Sequence, residues 1–358
     1  MSSVIGLEQV SIQRFQNKIS LECNNNKSEQ VKEETLTKEN PYRFSLFPIE
    51  HHDIWQFYKK HENTFWTSSE IDFATDKQEW NTLTVDEKHF IEMILAFFAN
   101  SDGIVLENLI VNMMQDIQIP EARSFYTFQA MAENIHAECY GLMIETFVQD
   151  RMKKKKLFHA IENFPCVRDK SEWAIKWIEK NNHDACDLGR RLFCFAIVEG
   201  LFFSGSFCAI FWLKERNKLC NSLGKSNEFI AKDEALHTDF AILLYNNYIC
   251  NKLSYSEAYM IMKEAVEIEK NFICDSIRCD MIGMSREKMA QYIESCADRL
   301  MESFQFPVIY NSPSPFPFMQ KLSMEGKTNF FEARLSEYSL CQQDSSLESF
   351  SNLDDLNF

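Results

Sequence analysis

Two four-residue phrases, Glu133-Asn134-Ile135-His136 and Glu234-Ala235-Leu236-His237, decide how this 358-residue protein is read. Each lies in a long stretch of helical periodicity. Phe125, Gln129, Glu133, His136, Tyr140, Met143 and Phe147 share one side of the first, and Ile230, Glu234, His237, Ala241 and Leu244 share one side of the second. An i, i+3 spacing turns a carboxylate and an imidazole to the same helical face, where both can reach one metal ion. Two such helices, with one further carboxylate from each of two more, make a two-ion site in the core of a helical bundle. The motif alone is weak, because 8 His among 53 acids in 358 residues give about one acid-x-x-His by chance. Asp86-Glu87-Lys88-His89 is read as that chance match.

Working outward, the composition supports an all-α fold. Hydrophobic residues make up 45%, 31 of them Phe, while Gly and Pro number only 9 and 8. Few breakers and long periodic runs exclude an alternating α/β pattern. The net charge of −16 and the lack of a basic stripe argue against a nucleic-acid partner. The short run at Lys153-Lys154-Lys155-Lys156 reads as a solvated helix start. The 12 cysteines are scattered, form no C-x-x-C, and several sit in apolar runs, as Cys194 and Cys208 do. Residues 1–20 lack the continuous apolar core of a secretory signal. A reducing, cytoplasmic setting with cysteines used as small hydrophobes is expected.

Residues 1–40 are polar and asparagine-rich and are expected to form a mobile extension; a helical domain is expected over 41–331, and a flexible acidic tail over 332–358. Thr84-Val85-Asp86-Glu87 has the form of a capping box, and Ser254-Tyr255-Ser256-Glu257 repeats it. Pro120 suits the first turn of the helix that carries Glu133. Shorter helices are expected over 152–163 and 171–179, a helix stop at Gly283, and another helix over 286–304. Residues 192–213 are almost continuously apolar, about the length of a membrane span. Glu199 in the middle of that run, and the expectation that no second such run exists, favour a helix buried on all sides instead.

Four carboxylates, Asp102, Glu133, Glu199 and Glu234, thus fall among apolar helical neighbours. Burying one unpaired costs roughly several kcal/mol. Any one of them could pair with a Lys or Arg; four together with His136 and His237 ask for a common partner, and two divalent ions balance the charge. Oxygen-rich ligation with imidazole suits iron or manganese better than structural zinc. Tyr140 lies four residues after His136, on the same face, where Phe203, Phe207 and Ile230 could wall it off from water.

These residues carry a resemblance. The runs Phe97-Phe98-Ala99-Asn100-Ser101-Asp102-Gly103, Glu133-Asn134-Ile135-His136, Val198-Glu199-Gly200-Leu201-Phe202-Phe203-Ser204-Gly205-Ser206-Phe207 and Lys232-Asp233-Glu234-Ala235-Leu236-His237 resemble the small, radical-bearing subunit of class I ribonucleotide reductase of the eukaryotic type. The likeness runs over residues 42–331. It implies a ferritin-like helical bundle, a homodimer, and two iron ions per subunit that react with dioxygen to leave a tyrosyl radical, with manganese the less favoured alternative. By position, Asp102, Glu133 and His136 match the ligands of one iron, and Glu199, Glu234 and His237 those of the other. Tyr140 matches the radical tyrosine. Trp66 and Asp233 match the start of a radical path, in which the resemblance implies that the acid bridges the tryptophan to the ligand histidine His136, and Tyr338 matches the tail tyrosine that relays the radical to the large subunit. There ribonucleotides are reduced to deoxyribonucleotides for DNA replication; the acidic tail ending in Phe358 matches the docking peptide. Neither a nucleic acid nor a membrane is an implied partner. Lys232 stands where the family usually has arginine, and the tail departs from the common eukaryotic ending. Two other readings are open at this point: a ferritin-like iron-storage protein, and an accessory subunit without catalytic metal.

Overall fold

Thr84 opens the helix that carries the first lone acid. Its Oγ1 accepts the Glu87 amide at 3.1 Å, and the Glu87 carboxylate accepts the Thr84 amide at 2.9 Å, which satisfies two donors of the first turn at once. The computed structural model describes residues 32–180 and 184–319. Its main helices are α1 (His52–Asn63), α2 (Asp76–Thr82), α3 (Val85–Glu107), α4 (Pro120–Phe147), α5 (Arg151–Phe158), α6 (Pro165–Ile178), α7 (Asp187–Ile197), α8 (Ser204–Glu215), α9 (Leu223–Tyr248), α10 (Tyr255–Lys270) and α11 (Arg286–Ser303). Among the described residues there is no strand, and the architecture is an all-α, ferritin-like bundle. α3 packs on α4, α7 on α9, and α4 meets α9 across the core, while α1 lies along α4. The centre is filled by aromatic rings, with Phe97, Phe98, Phe203 and Phe272 all buried.

Local chemistry places several boundaries. Pro120 and Pro165 occupy the first turns of α4 and α6, where a missing N–H costs nothing. α6 therefore starts ahead of the expected residue 171, and the turn so gained buries Cys166, Val167 and Lys170. Ser254 accepts the Glu257 amide at 3.3 Å, but the Glu257 carboxylate goes to Arg190 at 2.6 Å, so only half of the expected box forms. Gly283 ends the 3-10 turn Cys279–Ile282 with φ of 79°, a left-handed conformation open to glycine. Leu36 lies fully inside the core, and Glu34 accepts the Cys250 and Asn251 amides at 2.8 Å each. The end of the expected polar extension is thus tied to the bundle. Residues 320–358, with Tyr338 and the acidic tail, lie outside the described residues.

The expected continuous helix over 192–213 is instead two helices, α7 and α8, joined by a π-helical turn, Val198–Phe202. A buried ion pair closes this joint. Lys170 Nζ donates to the Phe202 carbonyl at 2.6 Å, the Gly205 amide donates to Glu269 Oε1 at 3.2 Å, and Lys170 and Glu269 meet at 2.5 Å with exposures of 1% and 0%. A Cβ on Gly205 would stand 2.6 Å from that Glu269 oxygen, so any side chain here would push the carboxylate off the Gly205 amide. Lys170 also lies 3.8 and 3.9 Å from the Phe97 and Phe272 ring centres. Burial pushes the Glu269 carboxyl up to about 7, and burial lowers the Lys170 ammonium from its ordinary value. Among the described residues two stretches, Val85–Asp116 and Asp187–Glu215, are long and apolar enough to cross a membrane, which corrects the expectation of a single one. The second is 94% buried over its apolar window; its apolarity serves the middle of the bundle.

Candidate metal centre

Six side chains from four directions converge in the core. Asp102 comes from α3, Glu133 and His136 from α4, Glu199 from the π turn, and Glu234 and His237 from α9; none is more than 2% exposed. The i, i+3 spacing works as helical geometry requires. His136 Nδ1 lies 3.3 Å from Glu133 Oε2, and His237 Nδ1 lies 3.0 Å from Glu234 Oε2. The two phrases also cross: His136 Nδ1 is 3.1 Å from Glu234 Oε1, and His237 Nδ1 is 3.1 Å from Glu133 Oε1. Donor atoms fall into two groups, each within 4.8 Å: Asp102, Glu133 and His136, and Glu133, Glu199, Glu234 and His237. Glu133 belongs to both, which refines the three-and-three division implied by the resemblance. It and Glu234 each approach both imidazoles within 3.3 Å.

The electrostatics are those of carboxylates sharing a dry space. Burial, then the nearby carboxylates, pushes the Asp102 and Glu199 carboxyls well above the usual range. Burial opposes ionisation of Glu234 as well, but hydrogen bonds with His136 and His237 hold it well below. Burial likewise disfavours charge on the imidazoles, yet hydrogen bonds with Asp233, Glu133 and Glu234 raise His136 well above its ordinary value, and those with Glu133 and Glu234 raise His237 to about 9. Asp102 Oδ2 and Glu199 Oε2 are buried without a hydrogen-bond partner, and the buried Glu133 Oε1 and His136 Nδ1 face other members of the same cluster. Unsatisfied buried atoms of this kind are costly, and here both belong to that cluster. A set of four carboxylates and two imidazoles, with orphaned donors turned inward, fits a pair of divalent ions. This is a di-metal site.

Behind these six side chains stands a second set of contacts, of the kind that holds a metal-binding imidazole in orientation. Asp233 Oδ2 accepts from Trp66 Nε1 at 2.8 Å and lies 3.1 Å from His136 Nε2. The Trp66 and His136 rings are near parallel, 5.9 Å apart. On the other side, His237 Nε2 meets His61 Nε2 at 3.3 Å. Burial and then its neighbours His237 and His136 keep His61 well below the usual imidazole range. Gln129 Nε2 donates to Glu199 Oε1 at 3.0 Å. Tyr140 is 2% exposed and its hydroxyl has no partner. Its ring contacts Phe98, with centroids 4.7 Å apart, and Phe203 and Phe207 each meet Phe98 at a tilt, with centroids at 5.4 Å. Phe203 and Phe207 therefore form the layer behind Phe98, and Ile230 is buried nearby in the same core.

The structure thus brings together Asp102, Glu133, His136, Glu199, Glu234 and His237, and beside them Tyr140, Asp233 and Trp66. Tyr338 lies outside the described residues. The chance match at Asp86 to His89 is used elsewhere: Glu87 caps α3 and pairs with Lys218, and His89 is exposed on that helix. Sequence reading passes over His61, whose one signal is its place on the apolar stripe of α1 with Ile54 and Phe57. It also passes over the Lys170–Glu269 pair, which no spacing rule could reveal because its partners are 99 positions apart by subtraction of their numbers.

Comparison with known proteins agrees with this geometry. The sequence matches the family model of the ribonucleotide reductase small chain over residues 43–317. It is 51% identical over 306 residues to a ribonucleoside-diphosphate reductase small subunit of Arabidopsis thaliana, a match that covers 86% of this protein and 88% of that one. The corresponding small subunit of Trypanosoma brucei brucei is also 51% identical over 306 residues, with 86% and 89% covered. Among solved structures, a ribonucleotide reductase homodimer from Saccharomyces cerevisiae superposes with a TM-score of 0.75 at 35% identity, covering 92% of this protein and 99% of that one. The R2 subunit from Clostridium botulinum shares the fold, with a TM-score of 0.73 at 20% identity, over 84% of this protein and 96% of that one. With the buried ligand set, the family model and relatives at half identity all in agreement, this protein belongs to the small-chain family of ribonucleotide reductase.

Proposed function

We propose that this small subunit of ribonucleoside-diphosphate reductase holds two iron ions on Asp102, Glu133, His136, Glu199, Glu234 and His237 and stores an oxidising equivalent on Tyr140. The equivalent then passes to a large subunit, where ribonucleotides become deoxyribonucleotides. The observation that carries the reading is the single carboxylate oxygen of Asp233, which takes hydrogen bonds from both the ligand His136 and the indole of Trp66. A storage protein would have no use for that link between the ligand shell and a tryptophan.

When bound, the ion pair supplies the oxidising power drawn from dioxygen. The protein's own residues do the rest. Burial, then the negative charge of Asp102 and Glu234, raises the Tyr140 phenol well above its ordinary value, so the ring is a neutral phenol at any physiological pH. Its oxidation would give one electron to the bound ion pair and the phenolic proton to a neighbouring carboxylate, of which Asp102 acts on the ring most strongly, and would leave a neutral radical. Phe98, with Phe203 and Phe207 behind it, keeps water and reductants away from that ring. Asp233 Oδ2 orients His136 through its Nε2 and is placed to hold the indole proton when Trp66 gives up an electron. Tyr338 and the acidic residues of 332–358 are assigned the relay and the docking on the large subunit, the assembly is a homodimer, and the setting is cytoplasmic. Manganese in place of iron is the alternative loading.

Tyr140→Phe tests the reading. The variant should keep two iron ions per subunit once ferrous iron and oxygen are added, yet lose the sharp visible absorption, the EPR signal and reductase activity with the large subunit. A variant that retained the radical would place it on another residue. Deleting 332–358 should abolish capture of the large subunit while leaving the EPR signal of Tyr140 unchanged.

A further inference from the structure

The two ligand imidazoles are held from behind by different chemistry. His136 meets a carboxylate, Asp233, whereas His237 meets a second imidazole, His61 of α1, with the two Nε2 atoms 3.3 Å apart. His61 is 1% exposed and its Nδ1 has no hydrogen-bond partner. Its ring is clamped by Phe125 and Phe128, with centroids at 5.3 and 4.7 Å, and stands edge-on to His237 at 4.9 Å.

Proton placement follows from the ligand role of His237. To offer the Nδ1 lone pair to an ion, His237 must carry its proton on Nε2. That N–H points at His61 Nε2, which must then supply a lone pair, so His61 carries its own proton on Nδ1. The His61 ring also lines a small cavity with Trp66, Phe128, Ile135 and Asp233, with room for about one water. A buried N–H and a carboxylate on the wall of one cavity are the partners such a water needs.

We propose that His61 is a positioning residue for the second ion. It fixes the tautomer and the ring orientation of His237, and through a water in this cavity it ties that histidine to Asp233, and so to His136 and Trp66. The two outer partners then form one hydrogen-bonded relay around the ion pair instead of two separate supports. This inference rests on the two-ion reading above. Among outer partners of metal ligands, loss of the contact typically weakens the ion about 10–100-fold.

The test is a chelator competition with cobalt(II) on the full-length protein, comparing wild type with His61→Leu, which fills the space without an acceptor, and His61→Gln, which keeps one. Wild type should bind two cobalt ions. His61→Leu should weaken one of them about 10–100-fold and leave the other unchanged, with a shifted ligand-field spectrum for the weakened ion and a metal-free melting temperature near wild type. His61→Gln should restore most of the affinity, and Asp233→Asn should weaken the other ion. If His61→Leu binds both ions as wild type does, or weakens both alike, the positioning role is wrong while the two-ion reading stands. If wild type binds no cobalt, the two-ion reading itself falls. A crystal structure with no water in the cavity would remove the link to Asp233.

Discussion

Two kinds of helix meet at the metal centre. α4 and α9, which carry the paired Glu and His, run for 28 and 26 residues without interruption. The helices that carry the lone acids do not. α3 widens into the π-helical turn Asn108–Met113 beyond Asp102, and Glu199 itself lies in the π turn Val198–Phe202. In a regular helix an i, i+3 pair shares a face by geometry alone. In a π turn the face a side chain occupies depends on what stabilises the extra residue, and here that is Lys170 and Glu269 on α6 and α10. The regular helices bring their ligands ready-made; the interrupted ones need the rest of the bundle to aim theirs.

The largest expected effect comes from the regular pair. Glu133 stands within reach of both imidazoles and belongs to both donor groups. Glu133→Ala should drop the ion content from two per subunit to below one and abolish the activity of the assembled enzyme, measured by metal analysis and turnover. Glu199→Ala, on the interrupted helix, should lose only one ion. Equal losses from the two variants would erase the distinction between the helices.

Lys170→Met strikes the joint that supports Glu199. It leaves Glu269 without its partner in the core and the Phe202 carbonyl without its donor, and should destabilise the fold by about 3–5 kcal/mol in denaturant unfolding. Adding Glu269→Leu should recover most of this, because replacing both members of a buried pair leaves no stranded charge. If the single variant were as stable as wild type, the joint would owe nothing to the pair.

A subtler effect is the pH dependence of the metal-free protein. The His237 pKa in the fold is raised to about 9 from an ordinary 6.5. Its proton therefore stabilises the metal-free fold fully below pH 6.5, and that contribution is lost as pH rises through 9. Ion binding must expel the same proton, so cobalt or iron affinity should rise over the window in which metal-free stability falls. Between pH 6.5 and 9 the metal-free melting temperature should fall while ion affinity rises, and the protons released on binding, counted by calorimetry, should fall with the melting temperature. The smallest effect should come from Thr84→Ala at the start of α3, which removes a cap far from the ions. It should cost about 1 kcal/mol in chemical denaturation and leave the ion content at two.

The regular helices are the legible ones. Glu133, His136, Glu234 and His237 can be placed on facing surfaces from spacing, and Tyr140 follows one turn later. Asp102 and Glu199 show a different signal, a lone acid in an apolar run, which says that a carboxylate is buried but not what it faces. The same apolar run hides the π turn, because hydrophobic residues on every side carry no periodicity to interrupt. A second apolar stretch, Val85–Asp116, is harder to see because polar caps frame it and only part of it is buried.

By itself, then, the sequence determined an all-α bundle, the two Glu and His faces, and the need of four buried acids for a common counter-charge. Those follow from backbone periodicity and the cost of burying charge, both of which act over a few residues at a time. Only the tertiary structure decided that Glu133 and Glu234 each approach both imidazoles, that Asp233 serves His136 and Trp66 through the same oxygen, that His61 backs His237, and that Lys170 and Glu269 close the helix carrying Glu199. Each of these joins residues far apart in the sequence, whose distances are fixed by how whole helices pack.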